Sequence, residues 1–476
     1  MREPQRAKSN LMTETRLSLS SPDTNSSEFS RARLCELLSQ NLDFHAQSSN
    51  YASHNFHSFP AKFPPQLPRH FIEGLTEPGD LVLDPMQGSG TTMVEAQLAN
   101  RRAIGMDIDP LALLITRVKT TPLDPLTVIA YEKEIHRKAY AAYLDRPNSL
   151  LKALETCWEK ETRAFVDYWF DTDTQLALIA LIREIEKVAE PDLNHFFKLA
   201  ISGIIITKSG GVSLALDLAH TRPHRAKVIY KENGEILEGL EYLEQSPSNL
   251  RHATKTLRSP FGEFEKRVLT NLKGIFKPGQ EHYSPRLIYG NAEELPVASN
   301  SIDLIVTSPP YASNAIDYMR AHKFSLVWLG YPIQKLGERR GKYIGGEMLT
   351  NVAFEPLPEF TTGVVSEVTR VDKNKGQVLQ RYYSEMARVL QEMYRVLKPG
   401  KSAVVVVGNS VMRNINTQTQ HCLAEIGRSF GFEVPVIGVR NLDRNKRMLP
   451  AGNRLNLESQ IQQRMHEEYV IGFIKP

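Results

Sequence analysis

The stretch at 80–119 narrows the possible folds more than any other part of this chain. An apolar run, DLVLDP at 80–85, breaks into the glycine turn Met86-Gln87-Gly88-Ser89-Gly90 and passes at Thr91 into a helical pattern, TTMVEAQLAN. A second apolar run, AIGMDI at 103–108, leads into another helical pattern, PLALLITRVK. Strand, tight turn, helix, strand and helix in so short a span form a βαβ unit, which pairs its strands in parallel and crosses over right-handed. The fold class is therefore α/β.

Further strand signals stand far downstream: RLIY at 286–289, IDLIV at 302–306, SAVVVV at 402–407 and EYVIGFI at 468–474. The helix QRYYSEMARVLQEMYRVL, stopped by Lys398-Pro399-Gly400, feeds SAVVVV as another crossover. Between them, at 121–285, apolar residues recur three and four apart in stretches such as LTVIAYEKEIHRKAYAAYL and TQLALIALIREIEKVA, the period of amphipathic helices. The expected organisation is a sheet domain from 51–120 and 286–476, interrupted by a mostly helical insert at 121–285. Residues 1–50 are rich in Ser, Asn, Gln and Arg, a composition that buries too little apolar surface to order itself. They are expected to form a disordered polar tail holding at most one short helix at 30–39.

Hydrophobic residues at 41% and charged residues at 24% exclude a wholly disordered or collagen-like chain. No apolar run is long enough to span a bilayer, and the N-terminus lacks a signal-type apolar region, so a cytoplasmic protein with no membrane partner is expected. Net charge of +4 is compatible with a nucleic-acid partner without requiring one. Cys35, Cys157 and Cys422 stand far apart without a CxxC pair, which speaks against a disulfide framework or thiolate zinc. No metal site is expected. His220 and His224 have a metal-like spacing, but Pro223 breaks the helix that would align them.

The glycine turn admits three readings: a packing turn, a phosphate loop, or the floor of a nucleoside-type cofactor site. A phosphate loop needs a lysine where Thr91 stands. A cofactor lying across the carboxyl ends of parallel strands needs an acid at the end of the second strand for its ribose hydroxyls. Asp107 occupies that place, whereas Asp109 already starts the next helix. Directly after IDLIV comes Thr307-Ser308-Pro309-Pro310-Tyr311. Two prolines lock φ and remove two N–H groups, so this is either a rigid strand-ending turn or a shelf of acceptors. As a shelf, Ser308 Oγ and the Pro309 carbonyl would accept hydrogens from an exocyclic amine while the Tyr311 ring stacks on a planar base.

Together these residues resemble the amino-methyltransferases that use S-adenosylmethionine and modify exocyclic amines of DNA bases. Asp84-Pro85-Met86-Gln87-Gly88-Ser89-Gly90-Thr91-Thr92 is similar to their cofactor motif DPFxGSGTT, with Met86 in place of phenylalanine, and TSPPY is similar to their catalytic motif. FPAKFPP with LPRHFIEGL resembles the preceding segment that folds over the methionine end of the cofactor, which brings in Phe59. Asn291, in Gly290-Asn291-Ala292-Glu293, departs from the aspartate that the family often places near the adenine ring. The resemblance covers 55–120 and 286–476.

It implies a Rossmann-like class I methyltransferase sheet and S-adenosylmethionine as cofactor, held by Phe59, Asp84, Pro85, Gly88, Gly90, Thr91, Asp107 and Asn291. It also implies double-stranded DNA as partner and Ser308, Pro309, Pro310 and Tyr311 as the catalytic group. The target base must leave the stack to reach the methyl donor. The SPPY form points to N4 of cytosine; N6 of adenine, a guanine amine in RNA, and a binding module with a decayed site are the alternatives. The resemblance leaves room for a companion restriction endonuclease without naming one.

Target reading is expected from the insert, where Arg222, Arg225 and Lys227 form a basic edge, with GERRGKYIGG at 337–346 as second candidate. RNLDRNKRML at 440–449 is either a backbone contact or an exposed turn. Asp317, His322 and Lys323 are expected on the polar face of the helix after SPPY, and Asp303 at the start of its strand.

Overall fold

The computed structural model describes residues 24–442 and 467–476, apart from 61, 208, 210, 217, 219–222, 244–252, 280–281, 313–316, 347–348 and 350–351. Its central sheet has seven strands: β1 (Leu81–Asp84), β2 (Arg102–Asp107), β3 (Arg286–Tyr289), β4 (Ile302–Thr307), β5 (Leu397–Gly408), β6 (Ile437–Asn441) and β7 (Glu467–Ile474). They lie in the order β3-β2-β1-β4-β5-β7-β6. All pairs are parallel except those of β7, which runs antiparallel to both neighbours. This is the α/β Rossmann-like sheet that the sequence predicts.

Two consequences of this topology place the chemistry. The strand order reverses at β1, and open α/β sheets hold ligands beyond the carboxyl ends of the strands at such a switch point. Because β7 is reversed, its first residues stand at that same edge: Glu468 is opposite Gly408, the last residue of β5, and opposite Arg440 near the end of β6.

Strand side chains alternate between two buried faces, as the pleat demands. Val82, Leu304, Val306, Val404 and Val406 face one layer, which includes α2 (Gln66–Leu75) and α3 (Thr91–Leu98). Leu83, Ile305, Ala403, Val405 and Val407 face the other, made by the helices Glu359–Val371, Lys373–Val396 and Thr419–Ser429. The unbroken apolar runs Leu304–Val306 in β4 and Ala403–Val407 in β5 are thus explained by burial on both sides.

The expectation of a disordered tail over 1–50 fails from residue 24 onward, although the short helix expected at 30–39 is present as part of a longer one. Thr24–Ser39 is a helix, α1, and Leu34, Leu37, Leu38 and Leu42 are buried in the first of those layers. These leucines recur at helical spacing, so a polar segment still offers one apolar stripe. The sheet accommodates it through Gly472 on β7, where a Cβ would come within 2.5 Å of Leu38 Cδ1. Residues 1–23 lie outside the described residues.

The middle of the chain builds the helices Pro125–Asp145, Pro147–Cys157, Lys160–Trp169, Thr172–Glu186, Pro191–Ile205 and Pro260–Leu272. Four begin with proline, whose missing N–H costs nothing in the first turn. Their apolar faces share one core with α4 (Pro110–Thr120) and the helix Met319–Leu326. A small sheet of Val228–Tyr230, Ile236–Glu238 and Thr254–Thr256 departs from the helical expectation. There Asn233-Gly234 supplies the hairpin turn between Val228–Tyr230 and Ile236–Glu238. Among the described residues no helix is long and apolar enough to cross a membrane.

Candidate active site

β1 ends at the buried Asp84, and its Oδ1 accepts from Thr307 Oγ1 at 2.7 Å and from Met86 N at 3.2 Å. Burial pushes the Asp84 carboxyl up to about 6, against the pull of the Thr307 and Thr92 hydroxyls and the Met86 N–H. Thr307 closes β4 immediately before Ser308, so this bond ties the glycine turn to the SPPY segment. Gly90 has φ +73°, and a Cβ there would fall 2.3 Å from Thr116 Oγ1, so only glycine lets the turn close onto α4. Pro85 is buried, and buried Thr91 places Oγ1 3.3 Å from Ser89 Oγ. Beneath the turn, the fully buried Lys119 donates from Nζ to the Ser89 carbonyl at 2.7 Å, and burial holds its pKa well below the usual ammonium range.

At the end of β2, Asp107 Oδ2 accepts from Gly88 N and Oδ1 from Asp109 N, both at 2.8 Å. Burial and the neighbouring Asp109 charge raise the Asp107 carboxyl to about 7. Asp109 caps α4, accepting from Leu111 N at 2.8 Å, and its other oxygen lies 2.5 Å from His322 Nδ1. Burial opposes ionisation of Asp109, but His322 and the Leu111 N–H hold its carboxyl below the ordinary value.

His322 therefore does not lie on a polar helix face, contrary to the sequence expectation. It is fully buried, and its ring lies 5.4 Å from that of Phe59. Phe59 in turn stacks on Tyr318 at 4.9 Å and lies against Gly88. The buried Ser325, one turn after His322, joins Ser202 Oγ at 2.9 Å, and Ser202 Oγ lies 2.8 Å from His57 Nε2. This chain of polar contacts fastens the 57–59 segment and the helical block to the floor of the cleft. Asn291 is exposed just past β3; its side chain closes a turn with Glu293, while Gly290 N donates to the Asp107 carbonyl at 3.1 Å.

On the other side of the cleft, Pro309 is buried, and Ser308 and Pro310 are half-buried. Tyr311 is 9% exposed, which leaves little of it open to solvent. Its hydroxyl donates to Glu468 Oε1 at 2.8 Å. Arg440 forms an ion pair with the other Glu468 oxygen. Burial, then the Glu468 charge, raises the Tyr311 hydroxyl well above the usual phenol range. Neither His322 nor Glu468 stood out in the sequence as part of the site. The stripe Tyr318, His322, Ser325 at helical spacing signalled the first; nothing local signalled the second.

Other candidates have structural partners. Asp317 pairs with Arg320 at 2.9 Å and Arg340 at 2.6 Å, and Lys323 covers the Phe165 ring at 5.2 Å. Asp303, expected at a strand start, is buried and anchors Lys398 at 2.6 Å and the Leu81 N–H at 3.0 Å. Arg225 pairs with Glu238 at 2.6 Å and lies over Tyr168. In GERRGKYIGG, Arg339 sits between the Tyr289 and Tyr331 rings, whereas Lys342 is exposed. His220, Arg222 and 443–449 of RNLDRNKRML lie outside the described residues. A groove of about 600 Å³ between Glu293 and Lys475 opens at the opposite edge of the sheet and is lined by the paired ions Arg388 and Arg395.

The cleft suits an adenosyl cofactor. Each Asp107 oxygen accepts one N–H and keeps a further lone pair for a hydroxyl. Within the same turn, both amide atoms of buried Gln87 lack a partner. S-adenosylmethionine supplies an electrophilic methyl group when bound.

The DNA methylase family of N6 and N4 enzymes matches this chain over residues 1–117 and 302–451. The match breaks over the stretch that holds the helical block. The type II methyltransferase M.MvaI of Kocuria varians is 23% identical over 412 residues, spanning 82% of this chain and 84% of that protein. The type II methyltransferase M.BsoBI of Geobacillus stearothermophilus is 23% identical over 434 residues, 79% of this chain and 77% of that protein. A shorter match, 39% identical over 71 residues, joins 15% of this chain to 13% of the type II methyltransferase M.MjaII of Methanocaldococcus jannaschii. A sheet with its order reversed at β1, an acid ending β2 and an SPPY segment bonded to the glycine turn, matched over both halves of the catalytic sheet, place the chain in the N6/N4 family of S-adenosylmethionine-dependent DNA methylases.

Proposed function

We propose that this DNA methyltransferase methylates N4 of cytosine within a specific duplex sequence, in the cytoplasm, as the modification half of a restriction-modification pair. The observation that carries the reading is the Thr307–Asp84 hydrogen bond, which sets the cofactor turn and the SPPY shelf side by side. Ser308 leading the shelf offers a neutral hydroxyl, and in the family that form goes with cytosine more often than with adenine.

In this reading the target base swings out of the duplex and lies against the Tyr311 ring. Ser308 Oγ and the Pro309 carbonyl accept the two amine hydrogens, which draws the nitrogen lone pair out of conjugation and aims it at the methyl group. Pro309 and Pro310 keep that shelf stiff, since neither can rotate about φ. Methyl transfer would break the methyl–sulfur bond and move the sulfonium's positive charge onto the amine nitrogen. Its proton is then acidic enough for water to take it, so no strong base is required. Phe59 would cover the methionine end of the cofactor, Asp107 would hold its ribose and Asn291 would serve its adenine, while Asp84, Pro85, Gly88, Gly90 and Thr91 shape the turn. The helical block at 121–285 reads neighbouring bases. One shelf holds one base, so sequence must be read elsewhere in the grooves.

Nucleoside mass spectrometry of DNA treated with the protein tests the product. N4-methylcytosine is the expected result; N6-methyladenine without it overturns the cytosine assignment.

The raised Asp107 carboxyl gives a second expectation. Ribose hydroxyls donate to the ionised form, so binding releases the proton that Asp107 carries below about pH 7. Cofactor affinity should fall as pH drops from about 8 to about 6 and level off above the Asp107 value. Equal affinities at both pH values in calorimetric titration contradict a ribose contact there.

A further inference from the structure

We infer that Glu468 is a positioning residue for the reaction, acting through the hydroxyl of Tyr311. The inference deepens the reading of Tyr311 as the base-stacking residue and rests on it. The fold makes the contact by strand direction. β7 runs antiparallel, so its amino end reaches the edge where the parallel strands end, and register sets Glu468 beside Gly408 and Arg440. Tyr311 OH donates to Glu468 Oε1 at 2.8 Å, and the nearly buried Arg440 pairs with the other carboxylate oxygen, so the acceptor is itself held.

Two effects follow. The phenol ring is fixed at both ends, by the Pro309-Pro310 backbone and by its hydroxyl, so the plane against which the base lies is set before the base arrives. A phenol that donates to a carboxylate is also richer in π-electron density. Such a face attracts the positive charge that develops on the base as its amine is methylated. That attraction is stronger in the transition state than in the ground state, so its loss lowers kcat and leaves KM nearly unchanged.

Tyr311→Phe keeps the ring and leaves the Glu468–Arg440 pair intact, so it is the primary variant. On unmethylated plasmid DNA with saturating S-adenosylmethionine, kcat should fall roughly ten-fold, the scale of one hydrogen bond to a charged group, with cofactor affinity and KM for DNA preserved. Glu468→Gln should lower kcat similarly, and in the Tyr311→Phe background it should add no further loss. A wild-type kcat for Tyr311→Phe overturns the inference, as does a Glu468→Gln loss that persists undiminished in the Phe background. Tyr311→Ala separates the two levels. If Ala impairs turnover and Phe does not, stacking stands and the role of Glu468 falls; if Ala has no effect, the stacking reading itself falls.

Discussion

Asp107→Ala is expected to weaken S-adenosylmethionine binding by about 1.5–3 kcal/mol, roughly 10- to 150-fold in dissociation constant, the range for hydrogen bonds to a charged group. The side chain stands at the carboxyl end of β2 and orders the turn through Gly88 N and the helix start through Asp109 N. Truncation removes the hydroxyl acceptor and frees two backbone donors, so both direct contact and preorganisation are lost. Calorimetric titration of the folded variant measures the effect, and circular dichroism confirms the fold. Unchanged affinity in a folded protein shifts the ribose contact to Asp109. That residue is poorly placed for it, because it is buried as the cap of α4 against His322, whereas Asp107 is only half-buried at the strand end.

Tyr311→Ala is expected to cut turnover by roughly 5- to 150-fold, since stacking one base on an aromatic ring contributes about 1–3 kcal/mol. Cofactor affinity should remain within about two-fold, because Tyr311 meets the base side of the cleft and Asp107 the cofactor side. Equal loss of cofactor binding means that the two subsites have been assigned to the wrong walls. Steady-state kinetics on duplex DNA with parallel cofactor titration distinguishes these outcomes.

What could be read from the sequence follows from the range of each interaction. The βαβ unit, the glycine turn and the acid at the end of β2 are local features, and the structure has them where residues 80–119 place them. SPPY was legible as a stiff strand-ending segment for the same reason. The short helix at 30–39 is legible, but its docking on the sheet is not, because its surroundings are polar, only Leu34, Leu37 and Leu38 carry the stripe, and the glycine that admits it, Gly472, lies at the far end of the chain. His322 reads as a surface residue until Asp109, more than two hundred positions earlier, is found against it. Glu468 joins Tyr311 only because β7 is reversed, and no residue near position 468 announces strand direction. The hairpin around Asn233-Gly234 carries a local signal in its Asn-Gly pair, but the helical periodicity on either side of it dominates that stretch.

The most direct measurement is a structure of the protein with a non-reactive S-adenosylmethionine analogue and a duplex carrying its methylated sequence. Ribose hydroxyls are expected on the Asp107 carboxylate and an extrahelical base against Tyr311, its exocyclic amine within hydrogen-bonding distance of Ser308 Oγ and the Pro309 carbonyl. An analogue bound away from Asp107, for instance in the groove lined by Arg388 and Arg395, or a base held away from Tyr311, would contradict that expectation.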